Sequence, residues 1–283
     1  MTLVMGAVAY DPKVVTIWDG FRRHLVDRDL PFDFVLYSHY ERQAEDLVNG
    51  RIDAAWNSPL AWVRAVRLAN TRGLSLEALV MRDTDRDLRS LIIVRADSAI
   101  ESLPDLAERT IATGAIDSPQ ANLLPLSLLR KHGLEPGKNL TVRRFDVGVG
   151  LHGDHIGGER DAARALMAGA VDAACMIDSN YLLFAREGIL PAGATRVLGE
   201  TETYDHCNMT VGPSADLSEV ARFRDQLLAM SYDDASLRPL LDLEGLKLWC
   251  PGRTTGYSAL ETAVDEVGFY GSDGGVCADG YRP

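Results

Sequence analysis

Between residues 152 and 158 the chain reads HGDHIGG, which places His152, Asp154 and His155 within four positions. Imidazoles with a carboxylate make a ligand set for a transition metal, and the same groups move protons in acid–base catalysis. A metal site needs three or four donors, so His206, Cys207, His39 or Glu159 would have to converge on this loop. The flanking glycines support a second reading, a loop lining a cleft where His152 and His155 hydrogen-bond a ligand. A third reading is a solvated loop whose following acids, Glu159 and Asp161, favour the first turn of a helix. The residues alone leave all three open. Farther along, Tyr204-Asp205-His206-Cys207 carries the residue types of a nucleophilic site. Neighbours in an extended segment point to opposite faces, so His206 is expected as a single cleft contact rather than a member of a triad.

Other polar groups stand where strands give way to helices. Asn57 and Ser58 precede Pro59 and a helical pattern, and Ser118 and Gln120 flank Pro119 in the same way. The first N–H groups of a helix lack internal partners and carry partial positive charge, so either turn suits an anionic or polar ligand. Serine at such a turn also serves as an ordinary cap. Tyr10 follows the first strand, and His39 and Tyr40 follow the second, where aromatic rings suit the body of a ligand or the packing of one lobe on another. Asp178 and Asn180 occupy the corresponding place after the apolar VDAACMI.

Those positions presuppose a particular arrangement of elements. LVMGAVAY reads as a strand, VVTIWDGFRRHLVDR as a helix, FDFVLYS as a strand, and YERQAEDLVNG as a helix closed by Gly50. Continued alternation predicts an α/β fold with helices covering largely parallel sheets. LVNGRIDAA at 47–55 is echoed by LMAGAVDAA at 166–174, which predicts two lobes of like construction. The terminal GSDGGVCADGYRP reads as a loose or surface-draped tail. At 283 residues, 46% hydrophobic and 25% charged, the chain has the composition of a globular protein with substantial cores. Its net charge of −12 argues against a nucleic-acid partner, and no apolar run is long enough for membrane insertion. The four cysteines have no paired spacing and read as free thiols. Taken literally, the first residues form a strand rather than a signal peptide, which implies a cytoplasmic protein. Removal of an export signal would make it periplasmic or extracellular.

The order of motifs resembles the type II periplasmic-binding-protein fold, and within it the phosphonate/phosphite/phosphate substrate-binding family. NGRIDAAWNSPLAWVRA, ATGAIDSPQANLLPLSLLRKHG and ERDAARALMAGAVDA carry the resemblance, in order, over roughly residues 3–260. Glu159 and Arg160 stand where that family has Ser-His, and Asp117-Ser118-Pro119-Gln120 replaces its anion cradle. The resemblance implies lobe 1 from residues 1–93 plus 205–283 and lobe 2 from 94–204, with a ligand cleft between them. It implies a small anionic or polar ligand, phosphonate- or phosphate-like or related, and an ABC permease partner if the protein is exported. A different class, a cytoplasmic biosynthetic enzyme of binding-protein fold, would use His152, Asp154, His155, His206 and Cys207 for chemistry. A cytoplasmic ligand sensor is a third class. No cofactor is expected beyond a transition metal on the His152-Asp154-His155 loop.

Overall fold

The computed structural model describes residues 2–283, in two sheets flanked by helices. The chain runs β1 (Leu3–Val8), α1 (Lys13–Val26), β2 (Phe32–Tyr37), α2 (Tyr40–Val48), β3 (Ala54–Asn57), α3 (Pro59–Asn70) and β4 (Glu77–Arg82). It crosses to β5 (Ser90–Arg95), β6 (Thr110–Thr113), α4 (Leu124–Lys131), β7 (Thr141–Arg144), α5 (Gly157–Met167), β8 (Ala173–Ile177), α6 (Asp178–Arg186) and β9 (Thr195–Glu200). It then returns through β10 (Asn208–Val211), α7 (Leu217–Leu228), α8 (Arg238–Glu244), β11 (Trp249–Pro251) and α9 (Ser258–Val267). The first sheet has the order β11-β4-β10-β3-β1-β2 and the second β7-β6-β8-β5-β9.

Both sheets are mixed rather than mostly parallel. The helix-linked strands pair in parallel, β1 with β2 and β3, and β6 with β7 and β8. The strands that enter a sheet by a crossing run the other way, so β10 is antiparallel to β3 and β4, and β5 to β8 and β9.

The echoed nonamers have a physical cause. Gly50 and Gly169 sit at φ of 68° and 69°, the left-handed conformation that lets each chain turn out of its helix. The aspartate that follows then joins the neighbouring parallel strand twice. Asp53 N–H donates to the Val4 carbonyl and its carboxylate accepts from Val4 N–H, both at 2.8 Å. Asp172 does the same with Thr110 at 2.8 and 2.9 Å. One acid thus aligns the incoming strand in each lobe.

The first sheet packs around Trp18, Phe21, Trp56 and Trp249, whose rings meet at centroid distances of 5.2–6.2 Å. Separate apolar clusters cover the two faces of the second sheet. Another cluster bridges the sheets, joining Leu60 and Trp62 of α3 and Leu260 of α9 to Leu123, Leu124 and Ile177. The terminal segment from residue 271 lies mostly at the surface, but Tyr281 near its end is buried in that bridge beside Phe269 and Tyr270. Their aromatic burial outweighs the conformational freedom of the intervening glycines.

Residues 83–89 and 201–207 form the two crossings. They are joined by reciprocal backbone hydrogen bonds between Leu88 and Tyr204, each 2.9 Å, and by His206 N–H to the Asp85 carbonyl at 2.8 Å. Arg253 clamps them from outside, with Nε on Asp205 Oδ2 at 2.6 Å and Nη2 on Asp87 Oδ1 at 2.8 Å. We propose that the lobes divide at these crossings, which keeps β5 whole where a division at residue 93 would cut it.

Candidate ligand cleft

Beside the crossings, a cavity of about 460 Å³ opens between the two sheets. Its walls include Arg82 from the end of β4, Asp85 and His206 from the crossings, Glu244 from the end of α8, Asp154 from the loop before α5, and Asn180 from α6. Gln120 and Ser179 complete the second-lobe side. Arg82 is fully engaged: its guanidinium holds both carboxylate oxygens of Asp85 at 2.6 and 2.8 Å and the Glu244 backbone carbonyl at 2.8 Å. Glu159, buried behind Asn180, accepts from Asn180 Nδ2 at 2.9 Å and Ile177 N–H at 3.0 Å. Glu159 Oε1 and Gln120 Oε1 are buried without a hydrogen-bond partner among the described residues.

The residues singled out from sequence divide into three groups. Gln120, Asp154, Asn180 and His206 line the cavity. Half-buried Tyr10 and buried Tyr40 lie close behind it, and the Tyr40 hydroxyl donates to Asp154. The rest do other work. Asn57 is buried in a network with Gln43 Nε2 at 2.9 Å and Thr210 Oγ1 at 2.8 Å. Ser58 and Ser118 cap their helices, accepting from Ala61 and Ala121 N–H at 3.1 Å. Asp178, the first residue of α6, accepts from Ser179 N–H at 2.7 Å. Arg160 pairs with Glu187 at 2.8 Å, and Tyr204 joins Ser90 Oγ at 3.1 Å. His39 is half-buried, with Nδ1 3.6 Å from Glu41 Oε2.

The His152-Asp154-His155 set does not assemble as one metal centre. His152 is wholly buried, and both ring nitrogens are spoken for: Nδ1 lies 2.7 Å from Ser58 Oγ and Nε2 2.9 Å from Glu41 Oε1. The Tyr40 ring stacks on the imidazole at 4.7 Å, and Tyr270 and Tyr281 donate to the same Glu41 oxygen at 2.8 and 2.6 Å. Asp117 fixes the loop backbone by accepting from Gly150 and His152 N–H at 2.7 and 3.0 Å. The loop therefore covers the start of α3, where an anion was expected. His155 faces solvent and Asp154 turns to the cavity. His206 and Cys207 depart from strict alternation, with Nδ1 and Sγ 3.1 Å apart. The segment 201–207 is irregular apart from one bridge at Tyr204, so the two-residue periodicity of a strand does not apply. Burial pushes the Cys207 thiol well above its usual pKa, which removes the thiolate character a nucleophile needs.

Sequence reading passed over Arg82, Asp85, Glu244 and Glu41. A signal existed for the first two, because MRDTDRDLRS concentrates charge between two apolar strands that have to change sheets.

A sequence profile described as "ABC transporter, phosphonate, periplasmic substrate-binding protein" matches residues 7–257. The chain belongs to that family. It is a small-molecule binding protein built on the type II periplasmic-binding fold. Solved structures share that fold at low identity. PhnD1 from Prochlorococcus marinus, in complex with methylphosphonate, is 16% identical with a TM-score of 0.70, over 94% of this chain and 98% of the other. XAC2383 from Xanthomonas citri, bound to ATP, is 19% identical with a TM-score of 0.71, covering 94% and 97%. The periplasmic aliphatic sulphonate binding protein SsuA from Escherichia coli is 18% identical with a TM-score of 0.60, covering 94% and 92%.

Four carboxyls give this binding protein a definite pH response. Burial pushes Glu159 up to about 7, against the hydrogen bonds from Asn180 and Ile177 N–H. Burial likewise raises Glu244 to about 7, with Arg82 opposing. Burial also works against Glu41 and Asp85, yet their cationic and hydrogen-bonding partners outweigh it and hold both down at about 2. A raised carboxyl contributes fully below its ordinary pKa, and that contribution is lost as pH rises through about 7. A lowered one contributes fully above its ordinary pKa, and that contribution is lost as pH falls through about 2. Thermal stability is therefore expected to peak near pH ~5 and fall on both sides. Melting curves across pH check this, and Glu159→Gln should flatten the fall between pH ~5 and ~7.

Proposed function

We propose that this chain is the ligand-capturing component of an ABC importer. It binds a small polar molecule carrying an acid group in the cavity between its lobes and presents the closed form to a permease in the periplasm. The supporting observation is the cavity itself, whose walls come from both sheets and both crossings, so that its contents change the balance between open and closed lobes. Family membership supports an importer partner and a periplasmic setting. The buried, unpartnered acceptor Gln120 Oε1 on the cavity wall suits a ligand that also brings an N–H or O–H donor, because an unpaired buried acceptor is costly.

The test is thermal melting of the purified protein with methylphosphonate, inorganic phosphate, ethanesulfonate, an aminoalkylphosphonate and neutral amino acids. A ligand of the folded state at 100 times its Kd adds about 2.7 kcal/mol, a shift of several degrees. At least one acid-bearing probe should raise the melting temperature and bind with one-to-one stoichiometry by calorimetry. If only the neutral amino acids do so, the acid-group reading is wrong.

A further inference from the structure

The cavity that a family of anion carriers would be expected to line with cations is acidic. Asp85, Asp154, Asp242 and Glu244 face Lys13 and Arg82, and Arg82 already neutralises Asp85. An anion entering this space meets a carboxylate surplus, which repels it unless a further positive charge is present.

The crossings hold a donor set able to supply that charge. Asp85 stands on the first crossing and His206 and Cys207 on the second, and the backbone bond from His206 N–H to the Asp85 carbonyl, 2.8 Å, fixes the two segments together. His206 Nδ1 lies 3.6 Å from Asp85 Oδ1 and 3.1 Å from Cys207 Sγ, and all three donor atoms fall within 4.8 Å of one another. Zinc bonds of 2.0–2.3 Å in a tetrahedral arrangement put ligand atoms about 3.3–3.8 Å apart, so small side-chain adjustments complete the geometry. Sulfur, imidazole and carboxylate together are a donor set that zinc favours. Asp85 and His206 also line the cavity, which leaves the fourth position facing the space where a ligand sits.

We propose that Asp85, His206 and Cys207 form a zinc-binding site at the hinge, and that the bound ion is the positive centre on which the ligand's acid group docks. The second part rests on the function proposed above; the first does not. Binding displaces the Cys207 thiol proton to solvent as the Zn–S bond forms, since a coordinated thiol ionises. Arg82 is compatible with the ion, because each oxygen of Asp85 has a second lone pair beyond the one facing the guanidinium. Both crossings contribute donors, so the ion also ties the hinge together. Asp154 reaches the same cavity from the other lobe, an acid positioned to approach the ion on closure.

Chelator-stripped full-length protein is titrated with zinc chloride by calorimetry, and with cobalt(II) by absorption. One zinc per chain is expected, with a thiolate-to-cobalt charge-transfer band in the near ultraviolet. His206→Ala and Cys207→Ser should each weaken zinc binding by roughly tenfold or more, and Cys207→Ser should abolish the band. Solvent-facing His155→Ala should change neither. Zinc binding that survives both hinge variants, or no binding by the stripped protein with its melting curve intact, overturns the site. Separately, methylphosphonate is titrated into stripped and zinc-loaded protein. Binding at least tenfold tighter to the loaded form supports the docking role, and equal binding to both overturns that role while leaving the importer reading standing. Zinc binding with no anion bound in either form overturns the importer ligand class and leaves the zinc site standing.

Discussion

Replacing His152 with alanine should lower the melting temperature by roughly 6–12 °C, one of the two largest single-residue effects expected in this protein. The imidazole is fully buried, contacts Ser58 and Glu41 through its two nitrogens, and stacks on Tyr40. Its removal leaves a cavity and deprives the buried Glu41 carboxylate of the imidazole 2.9 Å away. Breaking a buried, hydrogen-bonded pair in this way costs about 3–5 kcal/mol. Tyr281→Phe removes one donor of two tyrosine hydroxyls on Glu41 and should cost only about 1 kcal/mol. Differential scanning calorimetry separates the cases. Comparable small losses for both variants would mean that the loop is not held through His152.

Arg82→Ala should be of similar size, with a deficit that grows as pH rises. Arg82 compensates Asp85 and Glu244, both buried, and its loss deprives each of its closest cation. The expected cost is about 3–5 kcal/mol. Glu244 already has its pKa raised to about 7 by burial, with Arg82 opposing. Without that opposition its folded-state pKa climbs further, so the variant loses stability as pH rises through and beyond neutrality. Urea denaturation at pH ~5.5 and ~8 should therefore show the larger deficit at the higher pH. Arg82→Lys retains the charge without the two-pronged contact on Asp85 and should recover part of the loss. A deficit that is equal at both pH values would contradict the assignment of Glu244.

Much of the architecture was legible because its signals are local. The paired nonamers encode a helix end, a left-handed glycine and a strand-aligning aspartate within nine residues, so the two-lobe reading needed no distant information. The mixed character of the sheets was not legible in the same way. Strand direction depends on which neighbour a crossing strand meets, and β10 meets β3 about 150 residues earlier in the chain. The site divides along the same line. Asn180, Gln120 and His206 stood at element ends and were legible by position, whereas Arg82 and Asp85 sit where β4 runs into a charged crossing with no periodicity to mark them.

His152 shows why residue type alone misleads. Its motif has the makings of a metal ligand, but its partners Ser58 and Glu41 lie 94 and 111 residues away, and their contacts turn it into a structural pin. The tail shows the converse. Tyr270 at its root and Tyr281 near its end stand next to glycines, with no pattern to announce burial, yet both hydroxyls end on Glu41.

The central claim is that ligand occupies the cavity between the lobes. Ser179, exposed at the start of α6, lines that cavity and carries no part of the core, so Ser179→Trp fills the space without disturbing packing. The decisive measurement is calorimetric titration of wild-type protein and Ser179→Trp with the acid-bearing probe that gives the largest melting shift. A cavity-bound ligand predicts at least tenfold weaker binding to the variant with an unchanged ligand-free melting temperature. Wild-type affinity in Ser179→Trp would place the ligand elsewhere and contradict the account.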